Sequence, residues 1–460
     1  MGAAFAFGPA RDTSFAPHNA ARQTFANGKG HLMRFTQLFG RTLRERRADV
    51  ESASHELLER ACYVRQHAAG IYTYLTLGLK SLRRIEAIIR DEMNAAGAQE
   101  ILMSMVHDAD VWKRTGRYDS IDATLVRFKD RRGHDCVLGM THEEIVASLA
   151  ATELRSYRDV DVVVYQIQTK FRDEARSRGG LLRTREFLMK DAYSLHLTTD
   201  GLAKTYGDQA SAYARIFRRL GLGDAAMVES STGLMGGKQA HEFMCFLDVG
   251  EDTVAVCRSC GYAANIDVIG DAQNCTRCGA SLEWKRGVEI GNIFQLGTRY
   301  TDALGVAVTD AHGTRRSVIM GSYGIGVSRL LACLVERFHD DRGIALTAAT
   351  AAIDAHVLVL GRRDESLQTL ASSLECESRE RGIELLWDDR TDLSAGERLT
   401  DADLLGATIR VTLGRDTLAD GTVELRERRS GRVHTVSADG AVDALFRLRK
   451  DILIGESSVC

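Results

Sequence analysis

Two segments limit what this chain can fold into more than any bulk property: KFRDEARSRGGLLRTREFLMKD at residues 170–191 and GSYGIGVSRLLACLVERF at 321–338. The first places Arg172 and Glu174 on one face of a strand, runs through a basic, glycine-containing loop, and returns on a second strand carrying Arg183 and Phe187. The second opens with a glycine-rich turn and sets Arg329 near the start of an amphipathic helix. Taken singly, each of these residues fits a surface arginine or a core phenylalanine. Their joint spacing argues for a built site.

Composition narrows the class. At 460 residues the chain calls for two or three domains, and 44% hydrophobic with 27% charged residues is ordinary for a globular protein. No apolar run reaches the roughly 18 residues of a membrane span. A net charge of -3 excludes a polyanion binder held by bulk charge, though not one with a local basic surface for RNA. The outlier is proline. Average usage of about 5% predicts roughly 23 residues, whereas Pro9 and Pro17 are the only two, and both precede Met33. Chance would leave the rest of the chain proline-free on the order of once in 10⁹ sequences.

Residues 1–32 show no clear period and read as a disordered extension or an upstream start; an Arg-bearing transit peptide is the minor alternative. Residues 78–96 carry Leu79, Leu82, Ile85, Ile89 and Met93 at helical spacing with Gly97 as a stop, and feed the short apolar strand ILMSMV. DVVVYQIQTKF at 161–171 reads as a central strand delivering Arg172. From residue 353 strands and helices alternate through HVLVLG, 364–381, IELLW, 397–405 and TIRVTLG, followed by two more strands and a terminal helix, which predicts a small α/β domain. GIALTAATAAID, just before it, reads as a linker.

Cys257 and Cys260, then Cys275 and Cys278, form two CxxC knuckles separated by fourteen residues, each followed by glycine (Gly261 and Gly279). That spacing closes a tetrahedral Cys₄ zinc site, and four protein ligands make it structural rather than catalytic. Two merely buried cysteine pairs are the bland alternative. In GMTHEE at 139–144, Thr141 and Glu143 can point the same way from an extended segment and offer a hydroxyl and a carboxylate to a secondary ammonium.

The segments at 170–191 and 321–338 resemble the ATP-handling motifs of class II aminoacyl-tRNA synthetases, and nearly all of residues 33–460 is similar to the bacterial-type prolyl-tRNA synthetase family. The resemblance implies an α+β fold: a class II antiparallel sheet flanked by helices over residues 33–350, a zinc-ribbon-like insertion at 254–285, and an anticodon-binding domain over 353–460. It implies that Arg172 holds the α-phosphate and the amino-acid carboxyl, Glu174 orients the adenine end, Phe187 stacks on adenine, Arg183 contacts phosphate and Arg329 takes the γ-phosphate. Gly324 and Gly326 would let backbone approach the nucleotide, and Glu289 would contact Mg²⁺ or ribose. For proline it implies Thr141, Glu143, Arg172, His241 and Ser322; a core histidine is the plainer reading of His241.

The same resemblance implies a cytoplasmic homodimer, paired through the helix and strand around ILMSMV, that joins proline to tRNA(Pro) with ATP and Mg²⁺ and involves neither membrane nor DNA. Many members carry a large editing domain between the two ATP motifs; here about two dozen residues separate Tyr262 from Gly287, so that domain is absent. Ser104, Met140, Asp161, Ser177, Leu234, Thr347 and Ala352 stand where the family usually has proline, and Gly179 and Asn292 replace a phenylalanine and a histidine. Two rival functions are aminoacylation with a proline analogue or onto a carrier protein, and a synthetase-like regulator that binds uncharged tRNA. The regulator predicts eroded ATP motifs, yet Arg172, Glu174 and Arg329 are in place. The missing prolines suggest a backup or resistance enzyme whose own translation avoids proline codons.

Overall fold

In a computed structural model that describes residues 32–47, 50–360 and 364–459, a nine-stranded sheet forms the frame of the larger part. The extension assigned to residues 1–32 lies outside the described residues except for Leu32. Strands Val162–Phe171, Glu186–His196, Ile319–Gly326 and Glu283–Gly297 run antiparallel side by side through the middle of the sheet. Gln239–Phe246 pairs with the far side of Glu283–Gly297. Helices Thr76–Ala95, Thr199–Leu220 and Val327–Arg337 bury their apolar stripes on one face, around Ile293 and Tyr323. The other face packs Val146, Ala147 and Ala150 against Tyr193, Phe294 and Met320.

The helix expected at 78–96 spans Thr76–Ala95, and Gly97 ends it at φ 78°. Leu82, Ile85, Ile89 and Met93 are fully buried, each contributing about 1.5–3 kcal/mol of transfer free energy. Gly78 is forced by contact: a Cβ there would lie 2.2 Å from the Tyr63 carbonyl oxygen. The strand expected at ILMSMV does not form. Gln99–Glu100, just before that run, joins the sheet parallel with Val162–Phe171, residues 101–105 form no strand, and Val106 begins the strand Val106–Asp108 of a separate small sheet. The ladder stops because the Met103 amide turns to the Gln166 side chain, at 3.0 Å.

The C-terminal part matches its expected alternation: strands Ala355–Val359, Leu385–Asp388 and Ile409–Leu413 are parallel, with Thr422–Glu427 and Val433–Ser437 added antiparallel. Two features differ from the sequence reading. Leu32–Arg34, at the boundary between the expected extension and the segment assigned to the catalytic domain, is an edge strand of this C-terminal sheet, paired parallel with Leu385–Trp387. Phe35 follows it into a slot between the Arg390 guanidinium, 3.5 Å from the ring centroid, and the His356 ring. The linker GIALTAATAAID is no open tether either. Ile344, Leu346, Ala351, Ala352 and Ile353 belong to the main core, and the Thr347 and Thr350 hydroxyls bond each other at 2.9 Å. Small side chains let this segment pass through the junction. Its Asp354 is clamped by Arg84 from one part and Arg449 from the other, both at 2.9 Å. Among the described residues no helix is long and apolar enough to cross a membrane.

Candidate active site

Period-two alternation along the central strands decides which side chains reach the site. Ser322, Phe294 and Tyr193 share one row of the sheet, and Gly324, Asn292 and Asp191 share the row two residues along, so all six face the same side. Arg172 enters at the end of its strand, where its Nε and Nη2 donate to the Met140 carbonyl at 3.3 Å and its guanidinium lies 5.3 Å from the Phe187 ring centroid. The sequence between these strands makes the turn. Gly179 and Gly180 take φ 64° and 63°, and a Cβ on Gly180 would meet His55 at 2.8 Å.

All eight residues assigned to ATP line one cavity: Arg172, Glu174, Arg183, Phe187, Glu289, Gly324, Gly326 and Arg329. It opens into a cleft of about 500 Å³ bounded by Glu51, Arg178, Glu251 and Arg286. Arg329 is fixed by two carbonyls, Leu182 from Nε and Glu289 from Nη1, each at 2.8 Å. Arg183 is not in the return strand Glu186–His196 but just before it, because the short turn Gly180–Leu182 delays the ladder. There it pairs with Glu174 at 2.8 Å and Glu251 at 3.0 Å. Asn292 donates to Glu289 at 2.8 Å and so aims that carboxylate. The two glycines differ. A Cβ on Gly324 would press on Asn292 Oδ1 at 2.8 Å, while one on Gly326 meets only Arg329 Cβ at 3.4 Å, so close approach to a ligand is the demand left for Gly326.

Beside this cavity Ser322 donates to Glu143 Oε1 at 2.9 Å, and Thr141 and Glu143 converge on Arg117, all of them buried. They do so from a helix start rather than from an extended segment, since Glu143–Glu153 is helical with His142 as its N-cap. His241 does not join them. Its row partners are Ile293 and Tyr323, which face the helices, and its Nδ1 lies 2.7 Å from the Tyr206 hydroxyl, a placement of the kind the core reading describes. Its neighbour Glu242 shares the row of Asn292 instead, and burial, with Glu289 adding to the rise, pushes that carboxyl up to about 8.

Sequence reading missed Arg117, Asp191 and Lys170. Lys170 pairs with Asp191 at 2.8 Å, and the other Asp191 oxygen accepts from Gln166 and Tyr193. The alternation Phe187, Met189, Asp191, Tyr193 carried a signal for Asp191; nothing local marked Arg117.

Away from the cavity, both cysteine knuckles have one geometry. The Gly261 amide bonds to Cys257 O at 2.9 Å, and the Gly279 amide to Cys275 O at 2.8 Å, with φ 73° and 76° at the glycines. Cys257 and Cys278 sulfurs lie 3.5 Å apart and Cys260 and Cys275 sulfurs 3.6 Å, with all four within 4.8 Å of one another. A tetrahedron with metal–sulfur bonds of about 2.3 Å has edges of about 3.8 Å. The four thiols therefore fit a metal ion.

The family description "tRNA synthetase class II core domain (G, H, P, S and T)" matches residues 126–338, and "Anticodon binding domain" matches residues 354–448. Fold and cavity are thus those of a class II aminoacyl-tRNA synthetase. A proline–tRNA ligase of Rhodospirillum rubrum is 40% identical over 436 residues, covering 90% of this chain and 100% of its own. Proline–tRNA ligase 1 of Anaeromyxobacter dehalogenans is 36% identical over 559 residues, covering 88% of this chain and 97% of its own. A crystal structure of prolyl-tRNA synthetase from Cryptosporidium parvum, complexed with halofuginone and AMPPNP, shares the fold at a TM-score of 0.73, with 15% identity over 88% of this chain and 78% of that one. The chain belongs to the proline–tRNA ligase family. The 559 aligned positions exceed this chain's 460 residues, so the Anaeromyxobacter relative carries a long stretch that is missing here and that the Rhodospirillum alignment does not need.

Proposed function

We propose that this protein is a proline–tRNA ligase: it condenses proline with ATP to prolyl-adenylate and pyrophosphate, then transfers the prolyl group to tRNA(Pro). The observation that carries this reading is the place of Arg172 between the nucleotide cavity and the buried group of Thr141, Glu143 and Ser322. Arg172 lies between the Met140 carbonyl, next to Thr141, and the Phe187 ring of the nucleotide cavity. A carboxylate attacking the α-phosphorus brings two anions together, and a guanidinium set between them lowers the cost of the approach and of the charge that develops. In this reading Arg329 and Arg183 hold phosphate oxygens, Phe187 covers adenine, Glu174 orients the base, and Glu143 with Thr141 and Ser322 receives the secondary ammonium. Glu289 would hold Mg²⁺, which when bound offsets the triphosphate charge. Charging of tRNA(Pro) by the purified protein with proline and ATP is the expected result. Charging with a different amino acid alone would contradict it.

The four cysteines hold zinc in this proposal, and elemental analysis should return one zinc per chain; none would rule it out. Leu102 and Val106, 75% and 50% exposed beside Met103, are the surface that a second copy covers in the homodimer, so sedimentation at the monomer mass would contradict that assembly. The finer role is a backup or resistance enzyme. What supports it is the absence of proline after Pro17 in a chain whose product is prolyl-tRNA.

A further inference from the structure

We propose that Arg117 is the positioning residue that aims Glu143 and Thr141 at the substrate's ammonium group, an inference that rests on the proline-activating reading above. Arg117 is 2% exposed, a burial that an arginine tolerates only when paired. Its Nη1 lies 3.1 Å from Thr141 Oγ1, 3.4 Å from Glu143 Oε2 and 3.0 Å from both oxygens of Glu144. The flat guanidinium is held in orientation by two rings, with Trp112 at 4.9 Å and Tyr300 at 5.6 Å. Glu144 is anchored in turn by the Thr115 hydroxyl at 3.0 Å. Arg117 thus ties a fixed carboxylate, Glu144, to the two groups that meet the ligand.

The consequence for Glu143 is geometric. Ser322 takes one of its oxygens and Arg117 faces the other, so the carboxylate has a single orientation before substrate arrives. Charge points the same way. Glu143 and Glu144 bring two negative charges and Arg117 one positive, while the neighbouring Lys170 is spent on Asp191. Arg172, the other guanidinium near Glu143, is turned to the Met140 carbonyl and the Phe187 ring, so a substrate ammonium beside Glu143 would add a second cation directly to this pair of carboxylates. A lysine could restore the charge but not the flat, ring-stacked fork that faces both glutamates.

The test is steady-state ATP/pyrophosphate exchange with separate KM values for proline and ATP, alongside thermal melting. Arg117→Met alone strands Glu144 and can unfold the protein, so Arg117→Met/Glu144→Gln, which removes the stranded charge, is measured beside Arg117→Lys. Loss of a charge-assisted contact predicts a proline KM raised about 10- to 100-fold in the double variant, with ATP KM and melting temperature near wild type. Arg117→Lys should fall between. A wild-type proline KM in the folded double variant would show that Arg117 only neutralises Glu144, and would overturn the proposal. If the double variant does not fold, a wild-type proline KM in Arg117→Lys overturns it, and a raised one with ATP KM unchanged supports it. Failure of the unmutated protein to exchange with proline would sink the functional reading instead, independently of Arg117.

Discussion

Replacing Arg172 by alanine is expected to slow proline-dependent adenylate formation roughly 10²-fold or more, with the fold intact. Of the cavity's arginines, this one also touches the segment that carries Thr141 and Glu143, through the Met140 carbonyl, while covering Phe187 on its other side. In the proposed role its charge would serve the attacking carboxylate and the α-phosphate together, where the transition state concentrates negative charge. Arg329 lies farther along the cavity and is braced by two main-chain carbonyls. Single-turnover adenylate formation measures the effect directly. A wild-type rate in Arg172→Ala would remove Arg172 from the chemistry.

Much of this site could be read from local sequence because its parts are local. Strand Val162–Phe171 follows from its β-branched density, and the glycine-flanked CxxC pairs carry their own turn geometry. Residues whose role depends on register were harder. His241 and Glu242 are adjacent, and only the pairing of Gln239–Phe246 with Glu283–Gly297 reveals that the glutamate, not the histidine, turns toward the cavity. Arg117 gains its meaning from Glu143 and Glu144, which the chain brings to it from another helix. The edge strand Leu32–Arg34 pairs with residues more than 350 positions away, and three residues leave no periodic signal. The buried Ala/Thr segment at the domain junction reads as a linker because small side chains score as weakly apolar even where they are fully enclosed.

Synthesis of this protein is expected to continue in cells whose resident prolyl-tRNA synthetase has been inhibited, while a proline-rich control protein collapses. The fold offers many places that suit proline. The first residues of its helices include Ala53, Thr76, Ala109, Thr199, Glu365 and Ala395, a position where proline's fixed φ and missing donor cost little. None is used. At Asp161, where the family usually has proline, the backbone now takes φ 62° and its amide donates to Leu195 O at 2.8 Å, two features that proline cannot supply. Losing turn prolines typically costs about 0.4–1 kcal/mol each through the unfolded state. A cost repeated at many sites argues for an offsetting pressure, and independence from prolyl-tRNA is one that an enzyme making prolyl-tRNA would feel. Pro9 and Pro17 confine the expectation to synthesis begun at Met33 or nearby. Pulse labelling after inhibition checks it: equal collapse of both proteins would end the idea, and recovery of charged tRNA(Pro) after continued synthesis of this chain would support it.

Amino-acid-dependent ATP/pyrophosphate exchange, run with the purified protein against each of the twenty amino acids, bears most directly on whether this cavity activates proline. Exchange that depends on proline and on no other amino acid to a comparable rate is the expected result, because Glu143, Thr141 and Ser322 set a buried carboxylate and two hydroxyls beside the nucleotide cavity, the group proposed to receive a secondary ammonium. Exchange with a different amino acid alone, or none with any of the twenty from folded protein, would contradict it.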